Sequence, residues 1–479
     1  MSVLSARDRH LVGRFSYGVT PALARDVRRA GGGAAWFERQ LSPGRVPDRA
    51  ADRIRRWWPS LDRGPTDLWQ RNVKEIEGGW EVMADYQRWV LLRRIHSRRQ
   101  VHEIMTELWE HHFNVPVNGD AAFTWRADFG NVIRAHAIGR FDQLLRAVVT
   151  HPAMLISLDN VSSTKQFPNE NLGRELLELH TVGRAAYDEK DVKASARILT
   201  GWTVDMWQTF RAEYDQERHS RGRVKVLGFQ HRNARADGRE VTREYLHYLA
   251  HHPATARRVA RRIAVKFVRD EPSPELVRQL ARVYLRNNTE IRPVLRALVE
   301  SRAFRKSVGT KVRDPGEDLV ATYRALGVQI ARPPAGDRGD SYAANQMLWQ
   351  VAGLGITPFA WPRPDGQPID NASWASPGRL IASMSMHQSL AGGWWPKDGA
   401  HYRRPEAWLP KRSIRFDDLV DDMSRRILHR PATPRLVEAC CQATGCRQRE
   451  RITADHALVR WQMPRLLSTM LDSPAHLTR

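Results

Sequence analysis

Residues 169–183 read Asn169-Glu170-Asn171-Leu172-Gly173-Arg174-Glu175-Leu176-Leu177-Glu178-Leu179-His180-Thr181-Val182-Gly183. At about 100° per residue, Leu172, Leu176, Leu177 and Leu179 share one arc with His180 near its middle, while Glu170, Asn171, Arg174, Glu175 and Glu178 occupy the other. This period is helical, so the stretch predicts an amphipathic helix opening after Pro168. Taken alone it is an ordinary helix. Acids sit in the first turn against the helix dipole, Arg174 is spaced to pair with Glu178, and His180 reads as a core histidine.

The same spacing runs outward from this stretch. It predicts helices near 21–30, 34–41, 66–98, 100–113, 129–150, 191–199, 240–251, 253–269, 273–286 and 290–303, with stop signals such as Gly31-Gly32-Gly33 between them. In Val101 to Asn114, the residues Val101, Met105, Leu108, Trp109 and His112 share a face, and Glu103, Glu107, Glu110, His111 and Asn114 lie opposite. Strand signals are nearly absent, apart from short candidates in the polar segment 207–240. The composition changes to Pro, Gly and Trp over 331–410, where only 342–351 and 377–386 are periodic, and helix returns over 416–477. A long irregular segment in a folded chain is usually functional or disordered, and its tryptophans argue for order. The expected fold is therefore all-α, with a Trp/Pro/Gly-rich irregular region and at most a few short strands. Three parts are expected: a helical core over 1–330, the irregular region over 331–412 packed on it, and a helical segment over 413–479.

Of the 479 residues, 42% are hydrophobic and 27% charged, a globular balance that excludes disordered and collagen-like chains. No uncharged apolar run reaches eighteen residues, so no membrane span is expected. The net charge is +23, carried by 66 Arg and 10 Lys. Such a surplus suits an anionic partner, but the bases are spread over every segment. Arg257, Arg258, Arg261 and Arg262 read as a solvated helix face, and no nucleic-acid motif accompanies them, which makes nucleic acid an unfavoured partner. Cys440, Cys441 and Cys446 lack paired knuckles and read as free thiols of a reducing compartment. With no apolar leader in residues 1–20, a cytoplasmic location is expected.

Several segments carry a resemblance: Asp159-Asn160 and 168–183; Trp109 with His112-Phe113; Leu199-Thr200-Gly201-Trp202; His252-Pro253-Ala254-Thr255-Ala256; and Pro362 to Gly366 with Trp374. Together they resemble the bacterial family catalogued as domain of unknown function 1800, along nearly the whole chain. The resemblance implies a mainly helical protein of unassigned chemistry. It also implies a neighbouring-gene partner similar to the alkaline phosphatase and sulfatase group. Departures occur at Glu110, where relatives often carry a second histidine, and at Ser220, where they carry aspartate. Many relatives are exported.

A polar motif that defines a helical family is better placed lining a pocket than decorating a surface. Glu170, Arg174, Glu175 and Glu178 would supply acid/base chemistry, because like charges raise one carboxyl pKa while an arginine holds another ionised. His112 and His180 are further candidates, as bases or ligands. Asp159, Asn169 and Asn171 are candidate substrate contacts, and Trp361 and Trp374 could stack on sugar rings. Glu107 and His111 are one turn apart and could reach a divalent metal, although that spacing is common without one. The expected function is a hydrolase or transferase acting on a glycan or other anionic small molecule. The alternatives are a non-catalytic binding or maturation partner of the phosphatase/sulfatase-like neighbour, and nucleic-acid binding through the basic surface. His251-His252 before Pro253 reads as a helix cap.

Overall fold

Twenty-four α-helices are realised among the described residues, with four two-stranded antiparallel sheets between them. The computed structural model describes residues 2–119, 121–334 and 341–479. Several helix starts share one local device. A Ser, Thr or Asp caps the first turn and Pro occupies the next position, where its missing N–H costs nothing. The Thr20 hydroxyl accepts from the Leu23 amide at 3.1 Å, Ser273 from Leu276 at 3.2 Å, and Asp314 from Glu317 at 2.8 Å. His252 caps the Pro253–Phe267 helix, accepting from the Ala254 amide at 3.2 Å.

Two expected helices are each broken once. The stretch 66–98 forms Pro65–Val73 and Gly79–His96, because Glu75 is left-handed and a Cβ at Gly79 would come within 2.6 Å of the Phe123 ring. The stretch 129–150 lies in Phe123–His136 and Phe141–Val149. Between them the backbone is diverted to pair outside the helix: Phe141 N–H donates to the Thr289 carbonyl, and Ile291 N–H to that of Gly139, both at 3.0 Å.

The strands are short, as expected. Trp202–Val204 pairs with Ala212–Tyr214, Val224–Val226 with Phe229–His231, Gln329–Ile330 with Ala400–His401, and Ser413–Arg415 with Arg451–Thr453. In the irregular region, 335–340 lie outside the described residues. Its two helices are Ala343–Gly353 and Pro377–Gly392, the second running past Met386 to a left-handed Gly393. Not all of its tryptophans are buried: Trp408 is, Trp361 and Trp374 are half-buried, and Trp349 and Trp394 are exposed.

Buried apolar side chains form one cluster from Leu4 to Leu471, including Met347, Val351 and Trp408 of the irregular region and Phe416 and Leu466 beyond it. The Gln100–His112 helix crosses this cluster and is buried on every side. The polar face read from its sequence is therefore internal, and each acid meets a cation. Glu103 takes Arg93 at 2.7 Å and Arg134 at 3.2 Å, Glu107 takes Arg94 at 3.0 Å, and Glu110 takes Arg126 at 2.8 Å. A helical wheel separates polar from apolar, and only tertiary partners decide whether the polar side meets water.

Candidate functional site at the signature helix

Asn169 opens the helix by accepting from the Asn171 amide at 2.9 Å, while its own amide donates to the Asp159 carbonyl at 3.1 Å. Asp159 is exposed and left-handed (φ 57°), which turns the chain back toward that cap. The α-helix runs from Glu170 to Glu175 and continues as a π turn over Leu176–His180. Such turns recur at functional sites. Two bonds close it, from Thr181 Oγ1 to the Leu176 carbonyl at 2.6 Å and from Gly183 N–H to that of Leu177 at 2.9 Å. Gly173 lets the Glu189–Leu199 helix approach, since a Cβ there would lie 2.9 Å from the Ala196 nitrogen.

The polar residues divide into two sets. Arg174 turns to Glu170 at 3.3 Å and to both carboxylate oxygens of Glu189 at 2.7 Å, rather than to Glu178. Glu178 instead accepts a hydrogen bond from the Tyr187 hydroxyl. Glu175 is half-buried, and its carboxyl is raised above the usual range by burial first and by Glu178 next; Arg174 opposes the rise and Asp365 adds to it. Asp365 comes from the Pro362–Gly366 loop, where it also accepts the Trp361 indole N–H at 2.8 Å. Trp374 is held farther along that loop, donating to the Pro368 carbonyl at 2.9 Å.

His112 and His180 lock the helix to the end of the Gln100–His112 helix. His112 Nε2 lies 3.0 Å from the His180 carbonyl, and His180 Nδ1 lies 3.0 Å from the His112 carbonyl. A carbonyl only accepts, so those nitrogens carry the protons, and His180 Nε2 is a buried lone pair without a partner. Burial holds both imidazoles below their ordinary pKa, His180 at about 3, with Arg258 and Arg262 adding to the effect.

Those two arginines revise the reading of the 257–262 face. Arg257 and Arg261 are exposed, whereas Arg258 and Arg262 are half-buried and face the signature helix. Arg258 donates to the Leu179 carbonyl at 2.8 Å and lies near enough to Glu178 to act on it electrostatically. Arg262 is pushed down to about 9 by burial and by Arg258, with Asp365 opposing, and its Nε and Nη2 have no hydrogen-bond partner. The structure thus brings Glu175, Glu178 and Asp365 toward Arg258 and Arg262. Arg174, Glu170, Asn169 and Asp159 lie at the exposed end of the same helix. Five concavities on the described surface are lined by other residues.

The 357–371 strap overlies this junction. Asn114 donates to the carbonyls of Trp361 at 2.8 Å and Arg363 at 2.9 Å, and Gln87 donates to that of Pro358 at 2.7 Å. A Cβ on Gly366, whose φ is +76°, would lie 1.7 Å from the His111 carbonyl oxygen.

Two further clusters are buried elsewhere. Lys266 lies 2.7 Å from Glu317 and 3.8 Å from both Glu107 and Asp314; His111 stands 3.8 Å from Glu107 with both ring nitrogens unpartnered. Burial pushes the Asp314 carboxyl up to about 7, with Glu317 and Glu107 adding to the rise. Among the described residues, one group of three metal-ligating side chains lies close together: Asp318, His387 and His476. Burial alone would lower the His387 imidazole, but Asp318 and Asp472 override it and raise it to about 9.

A model of the family described as "Protein of unknown function (DUF1800)" matches residues 10–478. The chain belongs to the DUF1800 family. No curated protein and no solved structure matches it. No described helix of this DUF1800 member is long and apolar enough to cross a membrane. The segments that carried the resemblance adjoin one another: His112-Phe113, the signature helix and the Pro362–Gly366 loop meet as described. Asn160 links the chain preceding the signature helix to the segment Leu199-Thr200-Gly201-Trp202, donating to the carbonyls of Leu199 at 3.2 Å and Trp202 at 3.0 Å.

Sequence reasoning missed Arg258, Arg262, Asp365 and Tyr187. Arg258 and Arg262 were detectable as an i, i+4 pair beside the apolar arc of Thr255, Val259 and Ile263. Asp365 lay inside a motif already noted. Asp318, His387 and His476 come from three distant segments with no shared spacing, and no local signal marks them.

Proposed function

We propose that this DUF1800 protein is an acid/base enzyme acting on a polar, negatively charged small molecule or glycan at the junction of the signature helix and the Pro362–Gly366 loop. The observation that carries this reading is Glu175, a half-buried carboxyl raised by burial and by Glu178 and Asp365, on the side of the helix where Arg258 and Arg262 also lie. A carboxyl raised above the ordinary range can serve as a general acid, and a neighbouring carboxyl group as the base. Glu175 takes the first role, and Glu178, bonded to Tyr187, the second. Arg262, with unpartnered donors, receives the anionic group, and Trp361 offers an aromatic face beside Asp365. His112 and His180 act as positioning residues. Arg174, Glu170, Asn169, Asn171 and Asp159 shape the exposed mouth, and Trp374 orders the loop. Both hydrolysis and group transfer fit this donor set. Three unpaired thiols support a cytoplasmic site of action.

The test is turnover of aryl glycosides, phosphate esters and sulfate esters by wild type and by Glu175→Gln. We expect turnover of at least one class, with kcat falling about 10²–10⁴-fold in a variant of unchanged circular dichroism. Turnover of no class, or equal turnover in a folded Glu175→Gln, overturns the proposal.

A second reading rests on the Pro377–Gly392 helix, which leaves Leu380, Ile381 and Met384 exposed on one side. Apolar side chains at this spacing suit a protein partner, including the phosphatase/sulfatase-like neighbour that the resemblance implies. In that reading Ile381→Asp abolishes association with the partner and leaves Glu175 chemistry irrelevant.

A further inference from the structure

We propose that Asp318, His387 and His476 form a binding site for a divalent first-row transition metal, separate from the signature-helix junction. The three side chains come from the Pro315–Leu326, Pro377–Gly392 and Pro474–Leu477 helices, and all are buried. Asp318 Oδ1 lies 3.1 Å from His387 Nε2 and 3.9 Å from His476 Nε2, and the three ligand atoms are within 4.8 Å of one another. Three ligands at about 2.0–2.1 Å from a tetrahedral metal stand about 3.3–3.5 Å apart. Closing on an ion thus requires side-chain adjustments of less than an ångström or so.

The surroundings orient each ligand. His387 Nδ1 lies 2.7 Å from Asp472 Oδ1, the carboxylate–histidine arrangement that fixes a metal-binding imidazole with its other nitrogen free. Without a metal, His387 donates from both ring nitrogens, Nδ1 to Asp472 and Nε2 to Asp318, and an ion binding here takes the place of the Nε2 proton. His476 Nε2 sits 3.0 Å from the Thr322 hydroxyl, a contact that its single lone pair gives up on ligating a metal. Asp318 Oδ2 is held separately, by Arg379 at 3.0 Å and by the Ser383 hydroxyl. Two imidazoles and one carboxylate therefore converge in a site from which water is largely excluded, and a metal ion replacing the His387 proton would be held by all three. The set of two imidazoles and one carboxylate suits zinc or ferrous iron and disfavours calcium or magnesium, which take all-oxygen shells. A cavity of about 80 Å³ lined by Arg313 and His10 reaches the cluster at His476, while Asp318 and His387 do not line it.

The test uses the full chain, stripped with chelator and titrated with Co²⁺ and Zn²⁺. We expect one equivalent of Co²⁺ per chain with visible d–d bands, competitive displacement by Zn²⁺, and a raised Tm with either ion. His476→Gln and Asp318→Asn should lose the bands, and Asp472→Asn should weaken binding about 10–100-fold. Because a ligand variant can fail to fold, the wild-type spectrum is itself decisive: no stoichiometric d–d absorption overturns the proposal. So does a thiolate-to-cobalt charge-transfer band, which would move the ion to the cysteines near the C-terminal end. Unchanged binding in folded His476→Gln overturns it as well.

Discussion

At the residue scale, the His112–His180 exchange shows how a polar side chain can be buried and still be satisfied. Each ring donates to the other's backbone, so neither needs charge, and burial makes charge costly. The folded pKa of His180, about 3, lies below its unfolded value of about 6.5. The unfolded chain therefore binds more protons between these values. Stability from this residue is complete above about pH 6.5 and is lost as pH falls, at about 1.4 kcal/mol per pH unit. Urea midpoints of wild type and His180→Gln, compared at pH 7.5, 6 and 5, should show the wild type losing its advantage as the pH drops. An advantage that grows on acidification would refute the neutral-histidine account. The wheel placed both rings on apolar arcs correctly, but it contained nothing of their mutual bonding, because the two residues belong to different helices.

At the scale of elements, the helices were legible because their caps and periods are local. Thr20-Pro21 and Ser273-Pro274 announce helices that form where expected, while Asp314-Pro315 opens a helix, Pro315–Leu326, that was not among those expected. The breaks at Glu75–Gly79 and Gly139 were not legible, because each is set by a partner distant in sequence, the Phe123 ring in one case and the Thr289–Ile291 backbone in the other. The strap over the Gln100–His112 helix is another such element. Gly366 combines a positive φ with a backbone approach no side chain could share, so Gly366→Ala must lift the strap off the His111 carbonyl. We expect a loss of about 1–3 kcal/mol and new proteolytic cleavage between 357 and 374. Unchanged protection of that segment would show that the strap is not anchored there. Under the proposed function, the same variant should also lose turnover, since Asp365 and Trp361 move with the loop.

At the scale of the whole molecule, the net charge of +23 belongs to the exterior, because the buried bases are matched by buried acids, and those buried bases do structural work. Arg14, Arg93, Arg94, Arg126, Lys266 and Arg313 are buried and hold distant segments together. Arg14 alone donates to the carbonyls of Phe267 at 2.5 Å, Ser307 at 2.5 Å and Arg479 at 2.6 Å. Lys266 stands at the centre of this arrangement, joining the Pro253–Phe267 helix to Glu107, Asp314 and Glu317. Replacing it with Met removes one cation and leaves three carboxylates facing one another, so a loss of about 3–5 kcal/mol is expected. The pH dependence follows from Asp314. Its folded pKa of about 7 exceeds its unfolded value, so the folded state binds the extra proton, and this group's stabilising contribution is lost as pH rises from about 4 to 7. Without Lys266 to offset the charge, ionisation becomes costlier still, and Lys266→Met should be far closer to wild type at pH 5.5 than at pH 8.5. Urea midpoints across that range decide the matter: a deficit that shrinks toward alkaline pH would mean that Lys266 does not hold these carboxylates ionised.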